Sequence, residues 1–124
     1  MSSPASVPGQ PPAPVFVLLY DSADDVAAKA PPVFPAHKAR LDDFRARGEL
    51  LMVGTFGDPQ GEGSMAIFRT RAGAEEFAAD DPFVLQGVVR SWQIREWNET
   101  LRNETLRNET LRNETLGGAA GGQR

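Results

Sequence analysis

Six consecutive residues, Val15-Phe16-Val17-Leu18-Leu19-Tyr20, set the first limit on what this chain can become. The run is too short for a buried helix and is rich in β-branched and aromatic side chains, so it reads as a strand. It carries no polar alternation, so both of its faces need cover and the strand belongs in the middle of a sheet. A layered architecture follows, with other elements packed against that sheet.

The rest of the chain supplies them. Leu50-Leu51-Met52-Val53-Gly54-Thr55-Phe56 and Ser64-Met65-Ala66-Ile67-Phe68-Arg69-Thr70 read as two more strands. Between them, Gly57-Asp58-Pro59-Gln60-Gly61-Glu62-Gly63 is dense in turn formers and reads as a hairpin loop. A fourth strand covers residues 88–97, with Val88, Trp92 and Ile94 on one face and Ser91, Gln93 and Arg95 on the other, wetter one. By the same parity Trp92 and Trp97 fall on opposite faces, one expected in the core and the other at an interface or pocket. Residues 21–32 form a polar, Ala-rich connection closed by Pro31-Pro32, which predicts extended or turned backbone. A helix is predicted to start near Phe34 or Pro35 and to stop at Gly48, a natural C′ residue, with Arg45 and Arg47 complementing its dipole. A second helix over residues 71–79 opens on Thr70 as N-cap, buries Ala74, Phe77 and Ala78, and is broken by Asp80-Asp81-Pro82. Residues 83–87 then form a short linker. The order β-α-β-β-α-β predicts an α+β fold, a ferredoxin-like sandwich with two helices on one face of a four-stranded antiparallel sheet. The other face needs a cover, which a second subunit supplies in a homodimer.

Composition narrows the extent of the domain. Residues 1–14 hold five of the ten prolines and no hydrophobic run, and read as a disordered lead. They lack the basic and apolar regions of a signal peptide, and no segment approaches the ~20 apolar residues of a membrane helix, so a cytoplasmic location and no membrane contact are expected. The folded domain is placed at residues 15–97. From Asn98 onward the chain repeats Asn-Glu-Thr-Leu behind arginine with a period of five, ending at Leu116. That period gives no coherent apolar face on a helix or a strand, so residues 98–124 are expected to be disordered. The net charge of −4, with no basic run carrying interleaved aromatics, argues against a nucleic-acid partner.

The chain has no cysteine and one histidine, His37. Thiol chemistry is excluded, and a multi-histidine metal site cannot be built; no loop for Mg²⁺ or Ca²⁺ is present either, so no metal and no cofactor are expected. On a helix, His37, Leu41, Phe44 and Gly48 share one face, which puts the imidazole on the stripe facing the core. Acid/base chemistry near neutral pH must therefore rest on His37 or on a carboxylate. Tyr20, ending the first strand, is a candidate polar residue lining a pocket.

The ordered set Pro35-Ala36-His37, then Gly48-Glu49-Leu50-Leu51-Met52-Val53-Gly54, then Asp80-Asp81-Pro82-Phe83-Val84, and a closing strand ending Arg95-Glu96-Trp97-Asn98, resembles the YCII (YciI-like) family. The resemblance runs from Phe16 to about Asn98. Thr55 departs from it, since proline commonly follows the glycine in the family. The resemblance implies a dimeric α/β-barrel with a site centred on a histidine and an aspartate, here His37 and Asp81. It places Gly54, Pro82 and Phe83 around a small-molecule ligand, with Tyr20 added from its position at the end of the first strand. A carboxylate beside an imidazole fixes its tautomer and makes it a competent base or acid. In a simple sandwich, however, the start of the first helix and the end of the second are expected at opposite ends of the sheet, so that His37 and Asp81 meet only through a displaced helix, a long excursion or a subunit interface.

Two functional expectations follow. One is a small cofactor-independent enzyme, lyase-like, using His37 and Asp81 for proton abstraction or elimination on a small organic substrate. The other is a dimeric ligand-binding or accessory module of the same fold that turns nothing over.

Overall fold

A computed structural model of the chain describes residues 13–103. The expected disorder of residues 1–12 and 104–124 lies outside the described residues, and residues 98–103 carry no regular secondary structure. The elements run β1 (Val15–Ser22), α1 (Val26–Ala46), β2 (Leu50–Thr55), α2 (Pro59–Glu62), β3 (Ser64–Phe68), α3 (Arg71–Asp80), α4 (Pro82–Leu85) and β4 (Val89–Trp97).

The four strands form one antiparallel sheet in the order β2-β3-β1-β4, with β1 in the interior as its unbroken apolar run demands. Phe16 to Tyr20 pair with Phe68 to Ser64 on one side, and Val15 to Asp21 pair with Trp97 to Ser91 on the other. Side chains alternate across the sheet, so Leu18, Tyr20, Ala66 and Phe68 face the helices and enter the core. From the helices, Leu41 and Phe44 of α1 and Ala74, Phe77 and Ala78 of α3 meet them. Phe44, Phe68 and Phe77 form an aromatic triangle with centroids 5.2–6.3 Å apart and the Phe44 ring edge-on to the other two. The fold is the ferredoxin-like α+β sandwich that the element order predicts.

The ends of the elements obey local chemistry. Gly48 closes α1 at φ 80°, and Thr70 caps α3 by accepting the Gly73 amide at 2.9 Å. Gly63 opens β3 at φ 79°, and a Cβ there would fall 2.0 Å from the Tyr20 carbonyl oxygen, so only glycine fits. The glycine-rich loop between β2 and β3 is a hairpin connection, as expected, but it contains the helical turn α2. Gln60 of that turn accepts the Val26 amide and donates to the Ala23 carbonyl, which pins the start of α1.

One boundary is corrected. The helix expected from Phe34 starts eight residues earlier, at Val26, and runs 21 residues through Pro31, Pro32 and Pro35. Those prolines remove the amides that would bond to the carbonyls of Ala27, Ala28 and Pro31. All three residues are exposed, so water satisfies the carbonyls. The packing of α1 against α4 and the anchored start outweigh the local bias of pre-proline residues. Likewise, the expected linker after Pro82 is a helical turn, α4.

The two tryptophans take opposite faces as expected, and Trp97, 54% exposed, lines an apolar depression on the face away from the helices, but Trp92, 39% exposed, does not enter the core, because β4 is an edge strand. Among the described residues no helix is long and apolar enough to cross a membrane.

Candidate active site

Three residues from three different elements converge at one end of the sandwich. Tyr20 lies near the end of β1, His37 in the middle of α1, and Asp81 at the junction of α3 and α4. Asp81 leaves the helix at φ −67°, ψ 126° and caps α4, its Oδ1 accepting the Phe83 amide at 3.2 Å, with Pro82 at the first helical position. That same Oδ1 lies 2.8 Å from His37 Nδ1, and Oδ2 accepts the Tyr20 hydroxyl at 2.5 Å.

The expectation that His37 and Asp81 sit at opposite ends is wrong, and the reason is topological. β1 pairs antiparallel with β3, so the helices that follow these strands also run in opposite senses. The first helix therefore begins, and α3 ends, at the same edge of the sandwich. The early start of α1 then leaves enough turns above His37 to lower it onto the end of β1.

Asp81 is fully buried, and His37 and Tyr20 are each 8% exposed. A carboxylate survives such burial only when its oxygens are bonded. Here a hydroxyl and an amide donate to it, an arrangement that suits an ionised carboxylate, which accepts only. A donor on Nδ1 matches an acceptor-only carboxylate, and in that tautomer Nε2 carries the lone pair. Burial, then the charge and hydrogen bond of Asp81, push the Tyr20 hydroxyl well above its ordinary ionisation range, with the Arg40 charge opposing them. Tyr20 is therefore a fixed donor.

Aromatic rings hold the imidazole. Phe83 stacks on it with centroids 3.7 Å apart and planes at 3°, Phe77 meets it edge-on at 6.2 Å, and Phe34 lies 6.1 Å away. Among the described residues no group bonds to Nε2. His37 lines a cavity of about 20 Å³, which has room for roughly one water. Leu18, Leu41, Ala66 and Phe77 make the walls apolar, and Tyr20 and Ser64 add hydroxyls. On the outer side stands Val53 of the edge strand β2, 49% exposed.

Of the residues singled out from the sequence, Tyr20, His37, Asp81 and Phe83 come together. Pro82 acts through the backbone by starting α4. Gly54 does not join them. It pairs with Met65 on the other face of the sheet, where a Cβ would meet nothing within 4 Å. There it lines a shallow apolar depression with Met52 and Phe56, and a larger one of about 450 Å³ lies beside Val17, Leu19 and Trp97. Phe77 and Ser64 were not foreseen at the site. Their signal was available in the helical spacing of Ala74, Phe77 and Ala78, and in the alternation that puts Ser64 on the face of Ala66 and Phe68.

Comparison with known proteins bears on the family and the fold. A sequence model of the YCII-related domain matches residues 14–98. No curated protein matches the chain. Among solved structures, 5-chloro-2-hydroxyhydroquinone dehydrochlorinase (TftG) from Burkholderia phenoliruptrix, in complex with 2,5-dihydroxybenzoquinone, aligns at a TM-score of 0.55 and 19% identity, covering 69% of this chain and 95% of that one. Protein SO0527 from Shewanella oneidensis aligns at a TM-score of 0.42 and 16% identity, covering 69% and 89%. The first of these shares the fold.

Proposed function

This chain belongs to the YCII-related domain family, and on that premise we propose that it is a small acid/base enzyme in which His37 moves a proton to and from an organic substrate. The observation that carries the proposal is the division of labour on one imidazole. Nδ1 is held by a buried carboxylate at 2.8 Å, while Nε2 has no partner among the described residues and its ring lines a cavity. A base needs such a free nitrogen, and a partner on the other nitrogen that favours the imidazolium once the proton arrives.

The step is proton abstraction. Nε2 takes a proton from an acidic O–H or from a C–H beside a carbonyl, and the electron pair stays on the substrate. In an elimination that pair forms a new double bond as the leaving group departs with its own bonding pair. Asp81 stabilises the imidazolium through Nδ1–H, and Tyr20 holds Asp81 in place. TftG is named for a dehydrochlorination and was crystallised with a dihydroxybenzoquinone. This supports small hydroxylated aromatic or quinonoid compounds as the first substrates to test. The proposal includes a homodimer formed through the open sheet face.

The test follows carbon-bound protons by NMR in D₂O for a panel of small hydroxyaromatics, 1,3-dicarbonyls and 2,5-dihydroxybenzoquinone. Wild-type protein is expected to catalyse exchange or elimination in at least one compound. His37→Ala is expected to lower that rate by about 10²–10⁴, the usual contribution of a positioned base. An undiminished rate in His37→Ala would remove the proposal. A second reading is a ligand-binding module of the same fold without turnover. Binding by the wild type with no exchange in any compound would select it.

A further inference from the structure

Arg40 lies on α1 about one turn beyond His37 and reaches across to α3. Its Nε donates to the Phe77 carbonyl at 3.2 Å, and its Nη2 donates to the Glu76 carbonyl at 2.8 Å. The planar fork of a guanidinium suits two neighbouring acceptors, and its charge complements the negative end of a helix dipole. Both carbonyls stand about one turn before Asp81, so the grip falls on the stretch of α3 that delivers the carboxylate. The guanidinium also lies over two rings, 4.9 Å from the Phe44 centroid and 5.5 Å from that of Phe77. Phe77 in turn meets the His37 ring edge-on. Among the described residues no other side chain of α1 bonds to the α3 backbone; Arg47 reaches α3 only through the Glu76 carboxylate, at 3.4 Å.

We infer that Arg40 is a positioning residue, which ties the end of α3 to the helix carrying His37 and so sets the spacing of the His37–Asp81 pair. Its place in the reaction rests on the proposed role of His37 as the base. His37 and Arg40 are three residues apart and so are neighbours on the helix surface, which makes imidazole and clamp move as one body. The pair leaves little slack, since a further ~0.8 Å beyond its 2.8 Å separation lies outside hydrogen-bond range. Tyr20 holds the other oxygen of Asp81, but it does so from β1 and leaves α1 untied. With the clamp cut, the carboxylate stays with Tyr20 while α1 is free to ride away from it. The imidazole then loses the acceptor that favours a proton on Nδ1.

The test reads the tautomer of the single histidine by ¹⁵N NMR of the full chain, at a pH where the ring is neutral. Protonated and unprotonated ring nitrogens give well-separated signals, so the nitrogen that carries the proton is read directly. Wild type is expected to carry it on Nδ1. Arg40→Ala is expected to lose that form, with Nε2–H becoming dominant while circular dichroism stays unchanged. Arg40→Lys is expected to fall between the two, because an ammonium reaches one carbonyl where the fork reaches two. Arg47→Ala is expected to match wild type. A proton kept on Nδ1 in Arg40→Ala overturns the clamp and leaves His37 as the base. An equal loss in Arg47→Ala marks a general loosening of the helix pair and overturns the clamp too. If Arg40→Ala does not fold, Arg40→Lys decides alone, and a tautomer identical to that of the wild type overturns the clamp. A wild type protonated on Nε2 counts against both the clamp and the base.

Discussion

Phe83 holds both His37 and the carboxylate that binds it. Its ring lies flat on the imidazole, 3.7 Å between centroids, while its amide donates to Asp81 Oδ1 at 3.2 Å. The sequence order explains how one residue does both. Asp81 is the cap, Pro82 the first helical residue and Phe83 the second, so the Phe83 amide is one of those that an N-cap side chain accepts. The turn that satisfies the carboxylate thereby aims the ring at the face of His37.

Replacing Phe83 with leucine separates the two roles, because the amide stays and the flat ring goes. The stacked ring should shift the His37 ring protons upfield, and that shift should disappear in Phe83→Leu. Assignment is unambiguous, since the chain has one histidine. Stability in urea should fall by about 1–2 kcal/mol, below the roughly 3–5 kcal/mol of a fully buried Phe→Ala change, because Phe83 is only partly buried and leucine keeps much of the volume. An unshifted wild-type histidine would contradict the stacking.

Tyr20 links the site to stability at alkaline pH. Burial and the neighbouring Asp81 raise its ionisation well above the ordinary value of about 10. The unfolded chain then loses the phenolic proton near pH 10 while the folded chain keeps it. Unfolding releases a proton there, so stability is intact below about pH 10 and falls as pH rises above it. Tyr20 is the single tyrosine, so its absorbance near 295 nm reports this residue directly. Tyrosinate should appear together with the loss of the far-ultraviolet circular dichroism signal. Tyr20→Phe should weaken the alkaline slope, and should cost about 1–2 kcal/mol at neutral pH because Asp81 loses one donor. Tyrosinate formed in a fully folded chain would show that the hydroxyl is not held as described.

The proposed dimer turns on the face of the sheet away from the helices. Ile67 lies there beside its cross-strand neighbours Val17 and Met52, with Leu19 and Trp97 nearby. Met52 is 64% exposed and Trp97 54%, so the face presents apolar surface that an isolated domain has no reason to keep. Ile67→Glu puts a charge at its centre while leaving the core face untouched. Light scattering after size exclusion should give a dimer mass for the wild type and a monomer mass for the variant, with circular dichroism unchanged. A monomeric wild type at tens of micromolar would sink the proposed assembly.

Most of the fold was legible because each strand carries its own apolar pattern, and the caps Thr70 and Gly48 act through local chemistry. What was not legible depends on tertiary context. Pro31 and Pro32 look like the end of a loop, yet the helix runs through them because Gln60 anchors its start and α4 packs against its side. His37 could be placed on an apolar face by spacing alone. Its approach to Asp81 follows from the antiparallel order, which puts the start of α1 and the end of α3 at one edge, but the depth at which His37 sits depends on the early start of α1. The spacing of Gly54 from its neighbours gave no sign of which face it would take, because the register slips between Leu50 and Met52 and puts Gly54 on the open side.

The prolines of α1 yield the last test. Pro31 lies in the second turn and is exposed, and its ring withholds the amide that Ala27 would otherwise accept. A proline inside a helix costs about 3 kcal/mol relative to alanine, offset by up to about 1 kcal/mol because proline also restricts the unfolded chain. Pro31→Ala should therefore raise stability by about 1–2 kcal/mol, or roughly 4–8 °C in melting temperature per kcal/mol for a domain of this size. The His37 signals should not move, since the change lies six residues away on the exposed side. If residues 26–33 were extended instead, as the Pro31-Pro32 pair suggests from sequence, alanine would loosen a preset segment and stability would fall. The sign of the change thus reports whether α1 begins at Val26 or at Phe34.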